Sequence, residues 1–252
     1  MMTTVSEIRA KLAEGQPTLG SWLQVPSATV AEIMGRAEYD WVAVDLEHGS
    51  LTVRDLPNMF RALEAGGTVP FARVARIDKK DIKQALDAGA KGIIFPMVES
   101  AEELELAISW SLYPPKGRRG VGYSRANLYG KNFAAYVQED AEATIFVAQI
   151  EDIAAVCALE DILQVQGLAA IIVGPYDLSG SIGLTAQFDH PEFVKMLDTI
   201  QQAARRHQIP MGLHIVQPDK ELLRSKIAEG YQFVAYGTDA VFLYNACECP
   251  VI

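Results

Sequence analysis

The sequence predicts a single (β/α)8 TIM barrel, a closed ring of eight parallel strands alternating with helices. Three observations predict it. Eight short apolar runs recur along the chain, most of them about 20–30 residues apart, the length of one β/α unit. The chain has 252 residues, a common size for such a barrel. No linker or shift in composition divides it, so residues 1–252 read as one domain.

In chain order, Ser6 to Glu14 reads as a first helix, with Ile8 and Leu12 four apart and a stop at Gly15 and Pro17. Leu19 to Leu23 is the first strand, with Trp22 near its end, and Ala28 to Ala37 is helical. Trp41 to Leu46 is almost wholly apolar and suits a strand buried on both faces. A helix from about Val53 to Ala65 follows, closed by Gly66-Gly67. Pro70 to Val74 is strand three, Lys79 to Ala88 a helix, Gly92 to Pro96 strand four, and Ala101 to Leu112 a helix. Ile145 to Ile150 is strand five, with a helix at Asp152 to Leu159. Ala169 to Val173 is strand six, and Glu192 to His207 a helix. Pro210 to Ile215 is strand seven, Asp219 to Glu229 the last crossover helix, and Phe233 to Tyr236 strand eight. One interval is long. Between strands four and five lies Y-P-P-K-G-R-R-G-V-G, Tyr113 to Gly122, then Tyr123 to Lys131, whose prolines and glycines break any helix. Loops of that length serve as lids or interface elements, or are disordered.

Composition removes several classes of function. Net charge is −10, with no basic run beyond Lys116 to Arg119, which argues against nucleic acid as a partner. No apolar stretch approaches the roughly 18 residues of a membrane span. Met1 to Lys11 lacks the apolar core of a signal peptide, so a cytoplasmic location is the expectation. Cys157, Cys247 and Cys249 form no C-x-x-C pair, so neither a disulfide framework nor a cysteine metal site is expected.

The strand ends carry the chemistry. In a parallel barrel the carboxyl ends of all strands open onto one face, where active sites sit. Strand two runs into Glu47 and His48, strand three carries Arg73, strand five runs through Gln149 to Glu151, and Asp177 follows strand six after Gly174-Pro175. Glu151 and Asp177 are hard oxygen ligands on adjacent strands, suited to a divalent ion that also takes substrate oxygens. His48 could move a proton near neutral pH. Arg73 could bind a carboxylate or stabilise a developing oxyanion. Each has a plainer reading: Arg73 as a surface ion-pair partner, Asp177 as a helix N-cap, Glu151 as the opening of a helix.

The motifs, taken together, resemble the HpcH/HpaI family of metal-dependent (class II) pyruvate and 2-keto-3-deoxy sugar acid aldolases over nearly the whole chain. They are G-S-W-L at 20 to 23, D-W-V-A-V-D-L-E-H at 40 to 48, P-F-A-R-V at 70 to 74, I-K-Q-A-L-D-A-G-A at 82 to 90 and P-M-V-E-S at 96 to 100, then Y-P-P-K-G-R-R-G-V-G, Q-I-E at 149 to 151 and G-P-Y-D-L-S at 174 to 179. The resemblance implies a barrel of the phosphoenolpyruvate/pyruvate-binding type. It implies a divalent ion on Glu151 and Asp177, with Mg2+ or Mn2+ favoured and Co2+ or Zn2+ compatible. It also implies His48 as general base, supported by Asp87, and Arg73 as the stabiliser of the enolate. Substrate contacts would come from Trp22, Gln149, Gly174, Tyr176 and Asp177. The substrate would be a small 2-oxo acid, and the assembly a homo-oligomer, a hexamer built as a trimer of dimers. The implied reaction is the reversible cleavage of a 4-hydroxy-2-oxo acid to pyruvate and an aldehyde.

Three stretches depart from the family pattern: Tyr176 where a small residue is common, Gly49-Ser50 where Ala-Pro is common, and the run Tyr123 to Lys131. They bear on the acceptor. Two further readings stand beside the aldolase: a non-catalytic binding module, and a citrate synthase-like enzyme joining an oxaloacetate-type donor to an acyl-CoA. A Schiff-base mechanism would need a lysine at a strand end in an apolar pocket, and Lys83, Lys91, Lys195, Lys220 and Lys226 all fall on helices or loops in this reading.

Overall fold

The computed structural model describes residues 3–141, 143–247 and 249. Eight parallel strands close a barrel in sequence order: β1 (Thr18–Leu23), β2 (Trp41–Asp45), β3 (Val69–Arg73), β4 (Gly92–Phe95), β5 (Ile145–Ile150), β6 (Leu168–Val173), β7 (Met211–Ile215) and β8 (Phe233–Thr238). Among the helices around it, α1 (Val5–Ala13) precedes β1. The others are α2 (Ala28–Gly35), α3 (Leu56–Gly66), α4 (Lys79–Ala88), α5 (Ala101–Ser111), α6 (Phe133–Ala135), α7 (Ile153–Cys157), α8 (Leu159–Ile162), α9 (Pro175–Ser181), α10 (Pro191–His207), α11 (Lys220–Ala228) and α12 (Asp239–Ala246).

Strand residues alternate between two dry environments, and this alternation positions the site. On β2, Val42 and Val44 pack outward with the helices, against Leu56, Phe60 and Leu63 of α3. Trp41 and Ala43 point inward and meet Phe71, Val147, Ile172 and Phe233 on the barrel axis. The axis is filled by aromatic rings: Trp41 stacks on Phe233 with centroids 4.2 Å apart, and on Phe71 at 5.4 Å. Gly20 is what leaves room for them, since a Cβ there would lie 2.1 Å from the Trp41 ring. Ile8 and Leu12 of α1 join the same inner cluster and close the amino-terminal end. Arg9 fastens this plug by donating to the carbonyls of Ala143 and Thr144, at 2.9 and 2.7 Å.

Inward parity continues past the hydrophobic plug. Two residues beyond Ala43 is Asp45, opposite Arg73 in the β2–β3 register, and two beyond Val147 is Gln149. The residues that reach the carboxyl-terminal rim are therefore polar members of the stripes that build the core.

Several expected boundaries move for local reasons. The helix expected from Val53 begins at Leu56, because Asp55 folds back to cap Thr52 instead, its carboxylate accepting from the Thr52 amide and hydroxyl. The helix expected over Asp152 to Leu159 is two short ones that meet at Ala158, and Asp152 itself is the N-cap of α7. Glu151 therefore does not open that helix. Asp177 is not an N-cap either: Gly174 holds that position, and Asp177 lies in the first turn of α9. The helices α9 and α12 were not expected as elements.

Two arginines tie the long interval after α5 to neighbouring helices: Arg125 donates to the Ala88 carbonyl at 2.9 Å and pairs with Glu64, and Arg119 is buried. Arg119 is 1% exposed, donates to Asp87 of α4 at 2.8 Å and to the Tyr136 hydroxyl at 3.1 Å, and lies 4.6 Å from the Tyr113 ring. Its charge is thus spread over a carboxylate and two aromatic faces, which lets it leave water. Among the described residues no helix is long and apolar enough to cross a membrane.

Candidate active site

A cavity of about 370 Å³ opens among the carboxyl-terminal strand ends, with Trp22, His48, Arg73, Gln149, Tyr176 and Asp177 in its wall. Its centre is Arg73, the last residue of β3. Asp45 grips this guanidinium in bidentate fashion, Nε to Oδ1 at 2.9 Å and Nη2 to Oδ2 at 2.7 Å. The planar fork matches the carboxylate, which fixes the ring of donors and leaves Nη1 for the cavity. Nη1 lies 3.4 Å from Gln149 Oε1 and 3.0 Å from Glu47 Oε2. The Glu47 contact is one of proximity alone, because its angle makes no hydrogen bond. Beneath, the Trp22 ring lies 4.3 Å from the guanidinium carbon. Arg73 is thus a buried, oriented cation and not a surface ion-pair partner.

Asp45 also shapes the loop after β2. Its Oδ1 accepts the amides of Glu47 and His48 at 3.1 and 3.2 Å, and its Oδ2 accepts from Gln24 at 2.8 Å. One carboxylate thereby sets both the arginine and the turn that brings His48 to the rim. Burial alone would raise the Asp45 pKa, but the hydrogen bonds and charge of Arg73 outweigh it and hold the carboxyl below its ordinary value. Arg73 in turn is raised, Asp45 outweighing its burial.

Glu151 sits at the end of β5, 2% exposed. Its Oε1 accepts the Met97 amide at 2.7 Å, and its Oε2 accepts a short bond from Gln149 Nε2. Met97 adopts a left-handed φ of 49°, which a non-glycine residue seldom does, and in that turn its N–H reaches the carboxylate. Gly174 makes the approach from β6 possible, since a Cβ there would lie 2.6 Å from Glu151 Oε2. Asp177 stands exposed at the same rim, and among the described residues no hydrogen bond or ion pair engages its carboxylate.

These acids crowd one another. Burial raises the Glu47 pKa to about 7; Arg73 opposes the rise, and Glu151, Asp45 and Asp177 add to it. Burial also raises Glu151. Arg73 is shared between Asp45 and Glu47, so the four acids carry more negative charge than the one guanidinium offsets. A hard-oxygen set with surplus negative charge and a free carboxylate fits a divalent ion held by Glu151 and Asp177. Protein ligands alone do not complete a cage, for no group of three His, Cys, Asp or Glu is arranged to hold a metal among the described residues. Such a two-carboxylate site leaves positions for substrate oxygens.

Of the other residues singled out in the sequence, Trp22, Gln149, Gly174 and Tyr176 line the cavity. Asp87 does not join them: it lies on α4 bonded to Arg119, and no hydrogen bond links it to His48 within the chain. Sequence pattern assigns no role to Gln24, Met97 or His214, and marks Asp45 only as a carboxylate ending strand two. For Asp45 the signal was present, because inward parity on β2 selects it with Trp41 and Ala43. His214 on β7 sits against Trp22 with centroids 5.5 Å apart, its Nε2 3.4 Å from the Gly237 carbonyl. Burial, aided by Arg73, lowers its pKa to about 3, so the ring is neutral. No lysine lines the cavity among the described residues.

This geometry has close relatives. The sequence profile of the HpcH/HpaI aldolase/citrate lyase family matches residues 18–246. The 2-keto-3-deoxy-L-rhamnonate aldolase of Escherichia coli (strain K12) is 34% identical over 244 residues, covering 95% of this chain and 90% of that protein. The 2-dehydro-3,6-dideoxy-6-sulfogluconate aldolase of Pseudomonas putida is 36% identical over 228 residues, 90% of this chain and 88% of that one. A crystal structure of a family protein from Burkholderia cenocepacia J2315 superposes with a TM-score of 0.90 at 28% identity, covering 95% of both chains. The matched span runs from β1 to the last residue of α12 and so takes in all eight strands and every residue of the rim; the chain belongs to the HpcH/HpaI aldolase/citrate lyase family.

Proposed function

We propose that this aldolase is divalent-metal-dependent and reversibly cleaves a 4-hydroxy-2-oxo acid to pyruvate and an aldehyde. The observation that carries the reading is the convergence on one cavity of an oriented guanidinium, an imidazole and the free carboxylate of Asp177, with Glu151 bonded to Gln149 in the cavity wall. Glu151 and Asp177 would hold the ion, with Mg2+ or Mn2+ the best match to an all-oxygen set. When bound, the ion supplies Lewis acidity toward the 2-oxo acid.

The chain supplies the rest. Arg73, held by Asp45, presents Nη1 to the 2-oxo oxygen and stabilises the negative charge that gathers there as the C3–C4 bond breaks. His48 takes the proton from the C4 hydroxyl in cleavage and returns it in condensation. Trp22 floors the pocket under Arg73 and keeps water from the guanidinium face. Gln149 ties Arg73 to Glu151, donating to the acid while its Oε1 faces Nη1. A Schiff-base route lacks its lysine. The acyl-CoA synthase reading lacks a basic pocket, since Arg73 is the one ammonium or guanidinium in the cavity wall among the described residues and Asp45 occupies it.

The same reading expects a cytoplasmic homo-oligomer built as a trimer of dimers. Support for assembly is exposed apolar surface: Tyr244 is 83% exposed and Tyr123 76%. The deciding experiment supplies 4-hydroxy-2-oxo acids to protein loaded with Mg2+ or Mn2+ and follows pyruvate with a coupled dehydrogenase. Exhaustive chelation is expected to abolish pyruvate formation, and the added ion to restore it. Undiminished turnover in chelated, metal-free protein would refute the metal-dependent reading.

A further inference from the structure

Asp45 grips Arg73, and something must in turn hold Asp45. The carboxylate torsion of an aspartate is broad and roughly two-fold, so its plane is set by the donors around it. The arginine fork cannot set that plane, because fork and carboxylate can swing together as one flat unit. Two anchors outside the pair are needed. The amides of Glu47 and His48 pin Oδ1, at 3.1 and 3.2 Å. Apart from Arg73, the donor that pins Oδ2 among the described residues is Gln24 Nε2, at 2.8 Å. Gln24 is half-buried and lies in the cavity wall.

Gln24 directly follows β1, where the chain leaves the barrel. Asp239, in the first turn of α12, takes hold of it there. This carboxylate is 1% exposed. Its Oδ1 accepts the Gln24 amide at 2.8 Å, and its Oδ2 accepts the Val25 amide at 2.9 Å. Two oxygens on two successive amides fix the peptide between them, and with it the point from which the Gln24 side chain departs. Oδ1 also accepts the Ala240 amide at 2.8 Å. Among the described residues no lysine, arginine or histidine pairs with Asp239, so backbone amides alone compensate a buried charge. The helix itself has a separate cap, for Thr238 Oγ1 accepts the Val241 amide at 3.3 Å. Most of what the Asp239 carboxylate holds is therefore the turn after β1.

We propose that Asp239 and Gln24 are positioning residues for the aldol chemistry: Asp239 sets the turn after β1, and from that turn Gln24 holds Asp45 in the plane that aims Arg73 Nη1 at the substrate. The inference rests on the aldolase reading above. It makes α12, whose Val241 lies in the cavity wall, part of the machinery that orients a side chain on β3.

Gln24→Met keeps the length of the side chain and loses the donor. With metal-loaded enzyme and a 4-hydroxy-2-oxo acid, its kcat should fall about 10-fold while KM stays within about twofold, part of the about 10²–10³ that loss of a stabiliser costs outright. Asp239→Asn offers one acceptor and one NH2 to two N–H groups, and should lower kcat similarly. The double variant should also lose about 10-fold, not the about 100-fold of independent effects. A second readout needs neither metal nor substrate. The Arg73 Nε–H signal in NMR, identified by its absence from Arg73→Lys, should exchange with water at least about 10-fold faster in Gln24→Met than in wild type. Unchanged kcat or unchanged Arg73 exchange in Gln24→Met overturns the proposal, and additive losses in the double variant overturn the part played by Asp239. Wild-type protein that forms no pyruvate overturns the aldolase reading and the inference with it; active wild type with an unaltered Gln24→Met overturns the inference alone.

Discussion

Arg73 and Asp45 act as one unit at the scale of the residue. Arg73→Lys would keep a cation but lose the fork, so Asp45 could no longer hold it while a second donor faces substrate. We expect turnover and pyruvate proton exchange to fall by about 10²–10³, the usual cost of one such stabiliser, with metal affinity retained in a titration. His48→Ala should remove aldol cleavage with less effect on metal affinity, since His48 is not one of the two carboxylates that would hold the ion. Two pH effects follow from buried groups. His214 titrates at about 3 in the folded chain, against about 6.5 for a free histidine. As pH falls below 6.5 the unfolded state takes a proton that the native state refuses. Stability is therefore complete above that value and is lost toward pH 3, by up to about 2 kcal/mol at pH 5. Urea unfolding of wild type and His214→Gln at pH 7 and 5 should show the variant missing that component. Glu47, raised to about 7, has the opposite consequence for the ion: its charge appears only as pH rises through that value. Calorimetric Mn2+ affinity should strengthen between pH 6 and 8 and do so less in Glu47→Gln.

Strands were legible as elements because each is buried on two faces, and such runs stand out in sequence; all eight lie where the apolar runs are. Helix ends were less legible, since capping depends on which way one side chain turns, as Asp55 and Asp152 show. The rim was legible in part. Arg73, Gln149 and Glu151 announce themselves as polar residues ending apolar strands. Tyr176 was legible through the G-P-Y-D-L-S run, whereas Val241 belongs to a helix too weakly patterned to recognise, and His214 reads as a polar interruption of β7 until its neighbours are known. The 113–141 excursion was opaque, because it is held by contacts distant in sequence: Arg119 across 32 residues to Asp87, and Arg125 across 61 to Glu64. Removing the first of these with Arg119→Ala should loosen the segment. We expect about 2–3 kcal/mol of lost stability, at the low end for a buried pair because Asp87 still reaches water, and faster proteolytic nicking between residues 113 and 141.

For the whole molecule, the barrel is the consequence of a simple alternation, with large aromatics inside wherever a neighbouring strand carries glycine. Gly20→Ala would drive a methyl into the Trp41 ring and should cost about 1–3 kcal/mol, read as a lower midpoint in thermal unfolding. The same stack, with Ile8 and Leu12 beneath it, makes the barrel a cup with one mouth. Depth then becomes sequence in time. A pyruvate seated on Arg73 lies behind whatever occupies the space beside Tyr176, so the aldehyde enters last and departs first. Steady-state cleavage should accordingly show pyruvate as a competitive product inhibitor against the 4-hydroxy-2-oxo acid and the aldehyde as a noncompetitive one. A traffic rule for two products would thus be written by a tryptophan and two phenylalanines that touch neither of them.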